Sequence, residues 1–361
     1  MVSSQTSVAE LVGALPELGR PRVPNPSRST DARRGYGIVV LIIVLLIGMF
    51  VSVAIGIRAI PLASTWDAVF SFDPANSDHL LVRHQRVPRA LLSGFVGVCL
   101  GVAGAVMQAL TRNPLAEPGI LGVNSGAAVA IAIGISFLGI VDVRGYMWLG
   151  LIGAAVAGVA VFFLGGVRRG VNPVRLVLAG AALSVVLGAL THIVLVNSVD
   201  DVFDRYRHWM VGSVAGRGYE VLLPVVLLGA VGLVMALALT RALDSAMLGE
   251  DLSRSLGGNP VRVWSLAGMV VITLAGVATA AAGPITFLGL ASPHVARLLV
   301  GATHRWVLPY SALIAAVLIV SADTLGRAIP PTGEVSVGIM VAILGGPFFV
   351  ALVRRRKIAQ L

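Results

Sequence analysis

Lysine, cysteine and charged residues of either sign are scarce in this sequence. Lys357 is the one lysine among 27 basic residues, and no glycine-rich loop precedes it. A P-loop requires a lysine directly after such a loop, so we predict that the chain is not itself a P-loop ATPase. Cys99 is the only cysteine, which excludes an intrachain disulfide, a CxxC redox pair and a zinc site built from cysteines.

Charged residues make up only 12% of the 361 residues, whereas ordinary soluble domains contain about 25%. Hydrophobic residues make up 57%, and the mean hydropathy is +0.92. So few charges cannot cover a water-exposed surface, and we predict an all-α membrane protein with many spans. The net charge of +10 would favour nucleic-acid binding in a soluble protein, but basic residues also orient a membrane protein.

Ten apolar runs are candidates for membrane-spanning helices. The stretch from Val263 to Pro293 is apolar throughout, but at ~1.5 Å per residue it is too long for one crossing of a ~30 Å hydrocarbon core. We divide it at Gly283-Pro284, because glycine followed by proline breaks a helix. The predicted helices lie near residues 37–57, 90–110, 118–140, 146–166, 174–196, 221–240, 263–283, 284–301, 307–327 and 335–353.

The distribution of basic residues predicts the orientation. Residues 1–36 form a polar segment without an apolar stretch of its own, so we expect a cytoplasmic tail followed by an uncleaved helix. Residues 355–361 are basic too, which places both termini in the cytoplasm and one ten-helix domain over 37–354. With ten spans, 18 of the 27 basic residues fall on the cytoplasmic side. This excess agrees with the positive-inside rule.

The segment after the second run reads RNPLAEPGILGVNSG, residues 112–126. Pro114 and Pro118 bracket Glu117, and three glycines follow, so helix is disfavoured although both flanks are apolar. Non-helical backbone at membrane depth is tolerated where it is buried in protein or lines a cavity, and we favour this interpretation. An ordinary cytoplasmic loop is the alternative.

The largest predicted cytoplasmic connection, residues 241–262, contains LGEDLSRSLGGN. Met247, Leu248, Leu252 and Leu256 recur at helical spacing, and two glycines end the pattern. This predicts a short amphipathic helix outside the membrane. Its mixed charges favour a protein partner over a lipid surface, since a helix lying on lipid usually has a polar face rich in lysine and arginine.

Arginines also occur on the face predicted to lie outside. Arg83, Arg86 and Arg89 surround Pro88, and Arg327 ends the ninth run on the same face. Such a cluster of exposed guanidinium groups could anchor the protein to lipid headgroups or bind carboxylates of a partner in a bidentate manner. The two interpretations are equally compatible with these residues.

Ionisable residues within the runs are few and scattered. His192, Asp323, His294 and Arg297 form no chain of the kind that proton-driven carriers use. We predict that Asp323 is a hydrogen-bonded packing residue. No HExxH motif, GxSxG motif with its partners or carboxylate pair on one span is visible, so we predict no catalytic residue and no metal ligand.

Several motifs occur in an order that resembles the FecCD family of ABC-importer permeases, over roughly residues 40–355. Two of them, residues 104–128 and 283–301, are highly specific. The motifs are RVPR (86–89), GAVMQALTRNPLAEPGILGVNSGAA (104–128), YRHWMVGSVAG (206–216), LGEDLSRSLG (248–257), GPITFLGLASPHVARLLVG (283–301) and GEVSVGIMVAILGGPFFVALV (333–353).

The resemblance implies a ten-helix subunit with the type II ABC-importer architecture, in the plasma membrane. Two such permease subunits, identical or related, would enclose a path, with two ATP-binding subunits below and a substrate-binding protein outside. ATP and Mg would be used by the partner ATPases, so we expect no cofactor in this chain. The partners are then proteins and the lipid bilayer, and no nucleic acid is expected.

The resemblance also implies roles for particular residues. Arg86, Arg89 and Arg327 match outer-face arginines that meet glutamates of the binding protein. Asn113 and Leu115 match a cytoplasmic gate, and Pro173 and Val174 lie at a second gate position where the permease for vitamin B12 carries small hydroxyl residues. The residues that match the coupling helices, which seat in the ATPases, are Leu248, Glu250, Asp251, Leu252, Arg254, Leu256 and Gly257.

Ferric siderophores are the commonest substrates of the family, and we expect one here, transported by alternating access. Cobalamin or haem is the alternative within the family. From another class, a secondary transporter driven by an ion gradient would need intramembrane carboxylates or a broken-helix ion site.

Overall fold

A computed structural model describes most of the chain, and within that part the regular structure is helical. The chain divides into two units, residues 1–37 and 38–361. In the described part of the first unit, Arg34 pairs with Asp31 at 3.3 Å on the first helix. The described residues are 28–56, 58–140, 142–166, 172–247, 255, 259–330 and 333–354.

The helices are numbered in chain order. They are α1 (Arg28–Ala54), α2 (Leu62–Phe70), α3 (Ser77–Leu81), α4 (Val87–Thr111), α5 (Val123–Leu138), α6 (Val143–Leu164), α7 (Pro173–Val196), α8 (Asp200–Met210), α9 (Tyr219–Ala238), α10 (Thr240–Met247), α11 (Pro260–Ala282), α12 (Leu288–Val300), α13 (His304–Ala328) and α14 (Val337–Arg354). A π-helical turn, Val82–Arg86, joins α3 to α4, and a 3-10 turn, Pro118–Leu121, precedes α5.

Apolar helices occupy the positions of all ten predicted runs. Seven helices in the described residues are long and apolar enough to cross a membrane: α1, the continuous helix 77–111, α6, α7, α9, α11 and α13. The other three positions carry shorter apolar helices, α5, α12 and the apolar part of α14. At ~1.5 Å per residue the 13 residues of α12 extend only about 20 Å. The positions of the helices are therefore confirmed, whereas the number of crossings stays a prediction.

Helix α4 is the most buried element and contacts α9, α11, α12 and α13. Of its 25 residues, 20 are buried. A Cβ atom at Gly101 would lie 2.3 Å from the carbonyl oxygen of Ser311 on α13, and one at Gly104 would lie 1.9 Å from that of Gly289 on α12. Glycine therefore allows the backbones of these helices to approach closely.

The chain leaves helical geometry at the two places where the sequence predicts a break. After α4, Arg112 takes a positive φ of 48° and residues 113–117 are not helical. Between α11 and α12, Gly283 has a φ of 77° and Phe287 one of 68°. Both predicted interruptions are thus confirmed.

Candidate functional site: an arginine cavity and a junction of two motifs

An open cavity of about 490 Å³ lies at the start of α4. We call it the arginine cavity, because five of its lining residues are arginines. Its charged and titratable lining residues are Arg58, His84, Arg86, Arg89, Arg217, Arg327, Glu220 and Glu334. This is the face that the charge distribution predicts to lie outside.

Arg86 binds the end of α1. Its guanidinium donates hydrogen bonds to the carbonyl oxygens of Val53 at 3.1 Å and Ala54 at 2.8 Å, and also to that of Arg58. The last carbonyls of a helix have no partner within the helix, so Arg86 satisfies groups that would otherwise be unpaired. Only 6% of Arg86 is exposed.

Arg327, at the end of α13, binds the same segment. Its guanidinium donates to the carbonyl oxygens of Ser52 at 2.9 Å and Ile55 at 2.6 Å, and to the Ser52 hydroxyl at 2.7 Å. It also pairs with Asp323, one turn earlier, at 3.0 Å. Two arginines from different helices therefore hold the end of α1.

Arg89 lies in the first turn of α4, three residues after Arg86, and binds two carboxylates. It donates to Asp323 at 2.7 Å and to Glu334 at 2.8 Å. Asp323 is almost fully buried, with 1% of its side chain exposed, whereas 24% of the Glu334 side chain is exposed. The predicted packing role of Asp323 is confirmed, since it accepts hydrogen bonds from two arginines.

The expectation that Arg86, Arg89 and Arg327 expose their guanidinium groups is wrong. Arg86 and Arg327 are each 6% exposed, and the Arg89 side chain is 14% exposed. The physical reason is that the end of α1 and two carboxylates of the same chain supply their hydrogen-bond acceptors. Lipid headgroups therefore have little access to them, and their role in docking a protein stays a prediction.

Two further arginines of the cavity were not singled out from the sequence. Arg58 is exposed and pairs with Asp78 at 2.8 Å. Arg217 is 6% exposed, donates to the Tyr146 hydroxyl at 2.6 Å and lies over that ring, while its Nε has no hydrogen-bond partner among the described residues. Both belong to the nine basic residues that the positive-inside rule places outside, and this placement is the feature of the sequence that could have indicated them.

The two most specific motifs pack against each other at the other end of α4. Gln108 donates to the carbonyl oxygens of Gly289 and Leu290, both at 3.3 Å, and its own carbonyl accepts a hydrogen bond from Arg297. The Glu117 carboxylate accepts a hydrogen bond from the Phe287 amide at 3.0 Å. Residues 104–128 and 283–301 thus form one unit, held by the buried Gln108 and the partly buried Glu117 and Arg297. We call this contact the motif junction.

The connection after α4 folds back along the helix instead of leaving it. A Cβ atom at Gly289 would lie 2.8 Å from Pro118 and 3.2 Å from the carbonyl oxygen of Leu100. Leu100 lies 11 residues before the end of α4 at Thr111. The 3-10 turn is therefore packed near the middle of α4, with Pro118 and Leu121 buried in protein, whereas Arg112 and Asn113 at the start of the segment are exposed.

The predicted gate residues lie at helix boundaries of this motif region and of α7. Asn113 is exposed, and its side chain accepts a hydrogen bond from the Leu115 amide at 2.9 Å. Pro173 and Val174 begin α7, where Asn172 caps the Val174 amide at 3.0 Å. Val174 is 65% exposed. The gate assignment of all four stays a prediction.

The predicted coupling residues lie outside the described residues. They are Leu248, Glu250, Asp251, Leu252, Arg254, Leu256 and Gly257.

The helix before the predicted coupling residues, α10, is anchored to two other helices. Asp244 accepts a hydrogen bond from the His304 amide at 3.0 Å and pairs with its ring at 2.6 Å, and Arg112 donates to the carbonyl oxygen of Ala246 at 2.9 Å. A movement of α10 would therefore reach α13 and α4.

The described residues contain no group of three or more histidine, cysteine, aspartate or glutamate side chains that could hold a metal ion. The charged groups of the arginine cavity instead form ion pairs and hydrogen bonds of the kind that bind carboxylates.

Comparison with known proteins identifies the class of this chain. Residues 44–355 match the model of the FecCD transport family. The chain belongs to this family, and it is a multi-pass membrane permease of the ABC transporter type.

Particular relatives cover nearly the whole chain. It is 41% identical to the ferric enterobactin transport system permease protein FepD of Escherichia coli, over 91% of this chain and 98% of FepD. It is 39% identical to the probable siderophore transport system permease protein YfiZ of Bacillus subtilis, over 88% of this chain and 95% of YfiZ. A solved metal-chelate type ABC transporter in an inward-facing conformation matches with a TM-score of 0.79 and 27% identity, over 89% of this chain and 99% of that chain.

Proposed function

We propose that this chain is the membrane-spanning permease subunit of an ATP-driven importer for ferric siderophores. The observation that carries the proposal is the 41% identity, over 91% of the chain, to a permease named for ferric enterobactin. Relatives named for iron(3+)-hydroxamate and for Fe(3+) dicitrate support the same class of cargo. The ferric chelate is the substrate and not a resident cofactor.

The importer would contain a second permease subunit, two ATP-binding subunits and a substrate-binding protein outside the cell. The chain would cross the plasma membrane ten times with both termini in the cytoplasm. Helix α7 supports a role in lipid contact or pairing with the second permease, because it leaves apolar side chains such as Val185 (73% exposed) and Ile193 (60% exposed) uncovered. ATP and Mg would be bound by the partner ATPases.

Residues 248–257 would seat in the ATPase subunits as coupling helices. Closure of the ATPases on nucleotide would then move α10, and through Asp244 and Arg112 the neighbouring α13 and α4. Asn113, Leu115, Pro173 and Val174 would constrict the cytoplasmic end of the path between two permeases. Each residue lies near the end of a helix, where a small rotation of the helix displaces its side chain.

The arginine cavity would receive acidic residues of the binding protein. Arg86 would contribute positive charge, since its hydrogen-bond partners are neutral carbonyl groups, and Arg89 and Arg327 would shape the cavity, together with the more exposed Arg58. Charge complementarity of this kind steers a partner and fixes its orientation.

Uptake by the reconstituted importer tests the cargo. Proteoliposomes holding the permease, its ATPase and its binding protein should accumulate a radiolabelled ferric siderophore, and unlabelled cobalamin or haem should not compete. Uptake of labelled cobalamin or haem, with no uptake of any ferric siderophore in a panel of catecholates, hydroxamates and citrate, would overturn the assignment.

A further inference from the structure

Asp323 and Glu334, the two carboxylates paired with Arg89, differ in how easily each can separate from it. Asp323 is 1% exposed and pairs with both Arg89 and Arg327, so its removal would leave the buried Arg327 without a carboxylate and Arg89 with Glu334 alone. Glu334 has 24% of its side chain exposed and pairs with Arg89 alone among the described residues. Glu334 is therefore the exchangeable partner.

The charges around Arg89 are already balanced. Arg89 and Arg327 carry two positive charges, and Asp323 and Glu334 carry two negative charges. A guanidinium offers a fork of donors that suits a carboxylate, but both sides of the Arg89 fork are occupied. A third carboxylate can bind Arg89 well only if Glu334 moves away.

Glu334 belongs to the short non-helical segment 333–336 that leads into α14. The Val335 amide donates to the carbonyl oxygen of Gly326 at 2.9 Å, and the Gly338 amide donates to that of Gly212 at 3.0 Å. The start of α14 is thus tied to α13 by a backbone bond next to the ion pair. Release of Glu334 would loosen the attachment of this segment to α13 and α4.

We propose that Glu334 is an internal substitute for an acidic residue of the binding protein. On docking, a carboxylate of that protein replaces Glu334 on Arg89, and the exchange frees the segment that precedes α14. The proposal rests on the docking function proposed above for the arginine cavity. It explains how arginines that are occupied in the free permease serve an acidic partner, and it links docking to α14, the last of the predicted spans.

The affinity of the binding protein for the intact permease–ATPase complex in lipid nanodiscs tests the exchange. Glu334→Gln should strengthen docking about threefold or more, because the competing charge is removed. Glu220→Gln is the matched control: Glu220 also lines the cavity, and its described contact is with the Gly218 amide and not with an arginine. If both variants change the affinity equally, the exchange is wrong, and the change reflects only the loss of a negative charge from the cavity.

A second measurement follows the accessibility of the segment 333–336 that precedes α14. Ser336→Cys can be labelled selectively with a maleimide, since Cys99, the only native cysteine, is buried. Labelling of Ser336→Cys should become faster when the binding protein docks, and should already be fast in the presence of Glu334→Gln. A labelling rate that neither docking nor Glu334→Gln changes would overturn the release of the segment.

Failure of the exchange can be told apart from failure of the docking function. Arg89→Lys keeps a positive charge but loses the fork, so it should weaken docking if the cavity is the docking surface. If Arg89→Lys weakens docking while Glu334→Gln and Glu220→Gln behave alike, the docking surface stands and the exchange is wrong. If charge reversal at Arg58 and Arg89→Lys both leave docking unchanged, the docking surface is wrong as well.

Discussion

At the scale of single residues, Asp323 holds the network of the arginine cavity together. It neutralises Arg89 at 2.7 Å and Arg327 at 3.0 Å, and these arginines in turn attach α4 and α13 to the end of α1 and to Glu334. Burial of a charge is unfavourable unless the charge is paired, so the removal of one central anion affects several helices at once.

Asp323→Asn should therefore lower the free energy of unfolding strongly, by about 3–5 kcal/mol, because it leaves buried guanidinium charge uncompensated. Thermal unfolding of the permease in nanodiscs measures this as a fall in Tm. Asp201→Asn on α8 is the control, since the Asp201–Arg205 pair is 68% and 44% exposed on its two side chains and, as a solvent-screened surface pair, should contribute little to stability. Similar Tm values for the two variants would contradict the role of Asp323.

The sequence predicted the packing role of Asp323 but not the burial of Arg86 and Arg327. The difference has a physical cause. Asp323 lies within an apolar helix, where an ionised group must be partnered. The arginines are buried because the carbonyl groups at the end of α1 point at them, and these groups are separated from Arg327 by more than 270 residues. The pattern of residues near Arg327 in the sequence therefore cannot predict its contact with the end of α1.

At the scale of elements, the backbone conformation of Gly283 interrupts the helix between α11 and α12. Gly283 has φ 77° and ψ 177°, a region that is essentially restricted to glycine. A Cβ atom there would lie 2.1 Å from the carbonyl oxygen of Trp209, and Ser213 donates its amide to the carbonyl oxygen of Ala282 at 2.7 Å. The loop after α8 is therefore packed directly on the break.

Gly283→Ala should destabilise the protein by more than the about 1–2 kcal/mol that a left-handed conformation alone costs a residue with a side chain. Gly216→Ala is the control for a positive φ without a steric contact, because Gly216 has φ 67° and a Cβ atom added there would have no neighbouring atom within 4 Å. Tm and ATP-driven uptake should both fall much further in Gly283→Ala than in Gly216→Ala. Equal losses would show that neither the glycine-restricted conformation of Gly283 nor its contact with Trp209 adds to the cost of a positive φ.

The break at Gly283-Pro284 and the non-helical residues 113–117 could be predicted because glycine and proline restrict the backbone locally. The helical character of residues 77–89 could not, since this stretch is polar and lies before the predicted second run. Nor could the packing of Pro118 against Gly289, because it depends on how two distant segments of the chain meet.

At the scale of the whole molecule, the two ends of α4 carry different groups of residues. The arginine cavity lies at its start, and the motif junction and the predicted gate lie toward its end. The anchoring of α10 by Arg112 and by His304 connects the predicted coupling segment to α4 and α13. Both of these helices also reach the arginine cavity through Arg89 and Arg327.

Replacement of Leu252 and Leu256 by aspartate should release the ATPase subunits during purification, because the apolar face of the predicted coupling helix would be lost. The same two positions changed to methionine keep an apolar face and should retain the ATPase. Co-purification in mild detergent measures both. An ATPase that stays bound to the aspartate variant would place the interface elsewhere.

The central claim is that ATP drives import through this permease, and uptake into sealed proteoliposomes tests this claim most directly. With the permease, its ATPase and the loaded binding protein present, uptake of the ferric siderophore should require ATP, stop when the ATPase is inactivated, and continue when a protonophore abolishes the proton gradient. Uptake that survives loss of the ATPase but collapses with the proton gradient would contradict the account and indicate a secondary transporter.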